Sequence, residues 1–142
     1  MPIDYEVTID LNGHVLKMAN GASGSVIVVR DKGRLTVIDS NPTAEHKFKV
    51  NGVGLWVLDD SGTETVFGGV ITGGSEGSRS SAICVSGNGG KVIMNAGNIV
   101  GHRNGDGGAV SITAGGQFTM TGGSIMGWAA MPPAKAALCT WL

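Results

Sequence analysis

The sequence predicts an all-β chain wound as a parallel β-helix, a solenoid in which short strands stack on copies of themselves. Three observations carry this. Glycine reaches 25 of 142 residues, more than twice the usual share of roughly 7%. The stretch Gly107 to Gly127, GGAVSITAGGQFTMTGGSIMG, holds three short β-type runs parted by double glycines and shows no helical period. The same unit also recurs along the chain. Strands this short cannot bury a face within one hairpin, but they can once the unit stacks on its neighbours.

The recurrence is legible at matched corners. Gly69-Val-Ile71, Gly97-Asn-Ile99 and Gly123-Ser-Ile125 follow one another at 28 and 26 residues. Gly89 to Met94 (GGKVIM) matches Gly115 to Met120 (GGQFTM) 26 residues later, and Ala82 to Val85 resembles Ala109 to Ile112. A period of about 26 residues with three strands inside it is one turn of such a helix. Stacking then places Ile71, Ile99 and Ile125 in one inward ladder, Met94 and Met120 in another, and Val92 and Phe118 in a third. Cys84 falls at the place of Ser111, facing outward between Ile83 and Val85.

In chain order, Val7 to Lys17 alternates apolar and polar residues up to an Asn-Gly corner at Asn12 and Gly13, then resumes as a strand. Ser25 to Val29 and Arg34 to Asp39 are rich in Val and Ile, as strands prefer. Pro42 ends the second of these, since it cannot donate to a ladder. Asn41 to Asn51 reads as a polar excursion loop. Gly54 to Asp59 and Glu64 to Phe67 read as strands of a further turn whose register is open. The total is about five turns, forming a domain over residues 1–127.

Asp10-Leu-Asn-Gly-His14, Gly68 to Gly74 (GGVITGG) and Gly115 to Ile125 resemble the repeats of large right-handed β-helix surface proteins of gut bacteria. Those proteins are adhesin-like and similar in fold to the pectate-lyase-like superfamily. The resemblance covers residues 5–127. It implies a right-handed winding, a parent protein that is extracellular or at the cell surface, and a non-catalytic scaffold binding glycan or a host surface. The alternatives are a polysaccharide-active enzyme (lyase or glycoside hydrolase) and a truncated product without function. Met1 to Glu6 is not a signal peptide.

After Gly127 the repeat stops. Residues 128–142 have two readings. A shifted reading frame from the third base of the Trp128 codon permits a glycine-rich strand resembling Gly107 to Ile112, which would make the tail a frame-changed segment. The other reading is a cap over the last open strands. Uncovered strand edges at the two ends predict end-to-end self-association.

Net charge is −1 with 15% charged residues, so there is no basic field to drive nucleic-acid binding. No apolar run reaches membrane-spanning length. Insertions in successive turns of a solenoid emerge at one corner. Three loops therefore nominate a ligand-binding edge: Glu45 and His46 in the first, Glu76 and Arg79 in the second, and His102, Arg103 and Asp106 in the third. Solvated loop charge is the plain alternative. A glycoside hydrolase needs two carboxylates about 5 to 9.5 Å apart, which makes Glu76 and Asp106 the pair to test. Asp39, Asp59 and Asp60 end strands, where Asp bonds its own backbone.

The histidines at 14, 46 and 102 lack metal-ligand spacing, and the glycines lack periodic Asp for calcium. No phosphate-loop context is present, so no cofactor is expected. Cys84 and Cys139 form no framework. Trp56, between Leu55 and Val57, reads as packed on a neighbouring turn, with sugar stacking as the alternative.

Overall fold

The computed structural model of the chain describes residues 1–19, 22–73, 81–102 and 108–127, together with the strand path at 139–141. It is a right-handed parallel β-helix. The first coil comprises β1 (Pro2–Ile3), β2 (Glu6–Asp10) and β3 (Val15–Lys17). In the second, β4 (Ile27–Arg30) and β5 (Arg34–Ile38) lead through β6 (Glu45–Val50), β7 (Trp56–Leu58) and β8 (Glu64–Phe67) to β9 (Val70–Thr72). The third is β10 (Ile83–Ser86), β11 (Lys91–Met94) and β12 (Asn98–Val100). The fourth is β13 (Val110–Ile112), β14 (Gln117–Met120) and β15 (Ser124–Met126), and β16 (Cys139–Trp141) begins a fifth.

Three parallel sheets result. Sheet A runs β1-β4-β10-β13-β16, sheet B runs β2-β5-β11-β14, and sheet C runs β3-β9-β12-β15. The registers match the repeat. Ile99 lies between Ile71 and Ile125, Met94 pairs with Met120, Val92 with Phe118, and Cys84 with Ser111. Period-2 alternation along each strand sends one set of side chains inward. Ile27, Val29, Ile83 and Val85 from sheet A meet Leu35, Val37, Val92 and Met94 from sheet B, with Ile71 and Ile99 from sheet C, in one continuous core. Cys84 stands between buried Ile83 and Val85, half-exposed on the outer face.

The corners explain the glycines. Gly97 and Gly123 have φ of +87° and +82°, a region that side-chain-bearing residues enter only with strain. They also stack: a Cβ on Gly123 would lie 2.1 Å from the Gly97 carbonyl oxygen.

Two expectations need correction. The segment Asn41 to Asn51 is not a loop, because Glu45–Val50 is a strand. The residues around Trp56 and Glu64 do not form a turn of the solenoid. β6, β7 and β8 make a separate antiparallel sheet, D, in the order β7-β6-β8. Among the described residues there are therefore four coils of three strands each and the first strand of a fifth, with sheet D inserted in the second coil between sheets B and C. The insertion is about one period long. Ile27 pairs with Ile83, Arg34 with Lys91 and Val15 with Val70, at separations of 56, 57 and 55 residues. Two coils of chain would give the same spacing.

Candidate functional site

Sheet D is seated on the outer face of sheet C. In sheets A and B, buried and more exposed residues alternate, but Val70, Ile71 and Thr72 are all buried, as are Asn98, Ile99 and Val100. Their outward side chains are covered by a second core of Phe48, Val66, Val70 and Val100, flanked by Val15, Trp56, Leu58 and Met126. Phe48 is fully buried, and its ring centroid lies 6.4 Å from that of Trp56. Trp56 packs on a neighbouring coil: its backbone N–H donates to the Gly127 carbonyl at 3.0 Å. A Cβ on Gly127 would stand 2.6 Å from the Trp56 side chain, and one on Gly101 would stand 2.0 Å from the Trp56 carbonyl oxygen. Glycine at both positions lets β7 approach this closely.

The neck of the insertion is closed by polar bonds. Asp39 Oδ1 accepts from Gly13 N–H at 2.7 Å, and Oδ2 accepts from Gly69 N–H at 2.6 Å. Asn98 Nδ2 donates to the Phe67 carbonyl at 2.8 Å and to the Gly69 carbonyl at 3.2 Å. His46 Nε2 lies 2.8 Å from the Gly13 carbonyl oxygen. At the other end, the β6–β7 hairpin closes on Asn51, whose Oδ1 accepts from Val53 and Leu55 N–H.

Alternation on β6 sorts the charged residues by face. Phe48 faces sheet C, so His46 does too, while Glu45, Lys47 and Lys49 face outward. Cross-strand partners add Phe67 beside Glu45, Thr65 beside Lys47 and Val57 beside Lys49. Lys47 Nζ pairs with Glu45 at 2.6 Å and donates to Thr65 Oγ1 at 2.8 Å. Phe67 is 58% exposed and Val57 42%. This outer face is a small flat platform of one aromatic ring, one valine and alternating charges.

Of the nominated edge residues, the three that are described, Glu45, His46 and His102, stand in different places. Glu45 is on the outer face of sheet D, and His46 is on its inner face at the neck. His102 is buried, only 4% exposed, just past the opposite end of sheet C. Its Nε2 has no hydrogen-bond partner among the described residues. Burial lowers its pKa from 6.5 to about 4, and a hydrogen bond with the Ile71 backbone opposes that shift. Glu76, Arg79, Arg103 and Asp106 lie outside the described residues. The strands flanking their segments are stacked: β9 and β12 lie side by side, and β10 and β13 do too. The described strands on either side of both segments thus lie in sheets C and A, coil above coil. Asn41 to Asn51 starts between sheets B and C, yet sheet D crosses sheet C, and Trp56 reaches Gly127 just after β15.

The carboxylates beside the corners build those corners. Asp10 Oδ1 accepts from the Asn12 and Ser40 N–H groups at 2.9 Å each, and Ser40, by its hydroxyl and N–H, holds the carboxyl below its ordinary value. Asp59 Oδ1 accepts from the Ser61 N–H at 2.8 Å and from its hydroxyl at 2.7 Å, which lowers its pKa likewise, helped by Lys49. Among the described residues no three His, Cys, Asp or Glu side chains converge as a metal site would require. No described helix is long and apolar enough to cross a membrane. Compared with protein-family models, curated proteins and solved structures, the chain matches none.

Proposed function

We propose that this chain is a non-catalytic β-helix module of an extracellular or cell-surface protein, a rigid scaffold whose inserted sheet D binds glycan or a host surface. The observation that carries this reading is the outer face of sheet D. Phe67 offers an exposed ring beside Glu45, on a face that also carries Lys47, Thr65, Lys49 and Val57 and belongs to a sheet fixed by its own buried core. Aromatic faces stack on the apolar faces of sugars, and neighbouring charged and hydroxyl groups supply hydrogen bonds that fix orientation. A small sheet depends on covering its apolar face. Seated on sheet C, sheet D presents its outer face preorganised, which lowers the ordering cost of binding.

The right-handed β-helix supports adhesin-like, scaffold and enzyme roles equally, so the fold adds only analogy. A glycan array probed with the full chain tests the proposal, beside Phe67→Ala and Lys49→Ala variants. Selective binding that falls at least about tenfold in the Phe67 variant, as loss of a stacking anchor implies, supports it. Binding unchanged in both variants, or no binding to any glycan or host-cell surface, overturns it.

A further inference from the structure

We propose that the two ends of the solenoid bind one another, so that a second copy of this chain stacks head to tail and continues sheets B and C across the junction. The surfaces are the edges of β2 and β3 at one end and of β14 and β15 at the other, which have no strand partner among the described residues. Within the molecule the inward residues of coil three are buried, Val92 at 1% and Met94 and Ile99 at 0%. Their counterparts in coil four are less buried: Phe118 and Ile125 are half-buried, and Met120 is 37% exposed. Val7, Ile9 and Leu16 at the opposite end are likewise half-buried.

The occupant follows from the register. The chain of pairs Glu6-Arg34-Lys91-Gln117, with its neighbours, fixes which residues stack. Continued once more, it sets a copy's Val7 on Phe118, Thr8 on Thr119 and Ile9 on Met120. Sheet C continues in the same way, with Leu16 on Ile125. The inward contacts, Val7 on Phe118, Ile9 on Met120 and Leu16 on Ile125, repeat apolar stacks already made between the internal coils.

Charge selects this arrangement over the two-fold alternative. Antiparallel pairing of β2 with its own copy about Thr8 would set Glu6 against Asp10, which is repulsive, whereas head-to-tail stacking sets Glu6 against uncharged Gln117. On sheet A, β16 already covers β13, so the incoming copy's two-residue β1 yields that slot to β16.

The backbone supplies a selective test. Arg34 N–H donates to the Tyr5 carbonyl and Leu11 N–H to the Ile38 carbonyl. The odd-numbered residues of β2 therefore bond to β5, and the N–H groups of Glu6, Thr8 and Asp10 point to the free edge. Thr8→Pro removes an edge donor and spares the internal ladder.

Light scattering over a concentration series should show mass rising for the unaltered chain and a monomer for Thr8→Pro at an unchanged melting temperature. A second measurement stands even if that variant fails to fold. With Cys84 and Cys139 replaced by Ser, mixing Thr8→Cys with Thr119→Cys should give a disulfide-linked heterodimer, because stacked partners lie about 4.8 Å apart. Neither variant should cross-link by itself. A strictly monomeric parent chain, assembly unaffected by Thr8→Pro, or cross-linking of Thr8→Cys by itself would each overturn the proposal.

Discussion

Asp39 and Gly69 stand 30 residues apart and are joined by a 2.6 Å hydrogen bond from the Gly69 N–H to Asp39 Oδ2. The bond spans the neck of the insertion: the chain leaves the solenoid after Asp39 and rejoins it at Gly69. The second oxygen of the same carboxylate holds Gly13 in the coil below. One side chain thus fixes where the second coil is interrupted, where it resumes, and how it sits on the first. Asp39→Ala would leave the N–H groups of Gly13 and Gly69, both buried positions, without acceptors. The expected cost is about 2 to 4 kcal/mol in urea unfolding. Asp39→Asn should cost less, since the amide oxygen retains one of the two bonds.

Sheet D depends on a core separate from that of the solenoid. Phe48 is its largest fully buried side chain, and Phe48→Ala should cost about 3 to 5 kcal/mol. The loss should fall on the insertion. Hydrogen exchange should accelerate across residues 45–67, while the amides of β10 and β11 keep most of their protection, since local opening follows local packing.

Burial of His102 makes stability depend on pH. Its folded-state pKa is lowered from 6.5 to about 4, so between those values the unfolded chain binds more protons, and stability rises with pH. The contribution is fully present above about pH 6.5. It is lost progressively as pH falls, by up to about 3 kcal/mol at pH 4. Denaturant unfolding at pH 7.5 and pH 4.5 checks this, and His102→Leu should flatten the difference. Asp10 and Asp59, both lowered by serine donors, act in a more acidic window. Their contributions are present above the unfolded carboxylate range and disappear as pH drops through their depressed folded values.

Two glycines separate backbone strain from steric contact. Gly89 has φ +90° and open space for 4 Å around the point a Cβ would occupy, whereas Gly123 has φ +82° and the Gly97 carbonyl oxygen 2.1 Å from that point. Gly89→Ala should cost only the conformational strain, about 1 to 2 kcal/mol. Gly123→Ala should cost clearly more, because the obstructing atom is backbone and the coils must separate. Thermal unfolding of the two variants side by side measures the difference.

The solenoid was legible because its ladders are written in near-identical words. The glycine corners before Ile71, Ile99 and Ile125 recur at one spacing, and the structure stacks those isoleucines directly. The insertion was hidden because it is about one period long, so the repeat on either side stays in phase. One signal was present. Of the eight outward positions of sheet C, four hold apolar residues, Val15, Val70, Val100 and Met126, and Phe48 with Val66 supplies the matching cover. His102 sits in a polar, glycine-rich segment that reads as loop. Its burial comes from tertiary contacts that no local pattern encodes.

Residues 45–67 are an insertion and not a coil, and the chain carries a natural reporter of that difference. Val28 and Cys84 are direct partners across β4 and β10, both on the outer face. In a Val28→Cys variant with Cys139 replaced by Ser, the two thiols would sit on strands about 4.8 Å apart, within reach of a disulfide. Mild oxidation followed by peptide mass mapping should recover an intramolecular bond between residues 28 and 84. If residues 45–67 formed a coil of their own, its strand would lie between the two cysteines and hold them about 10 Å apart. Persistent free thiols in the folded variant would contradict the insertion and the recognition face built on it.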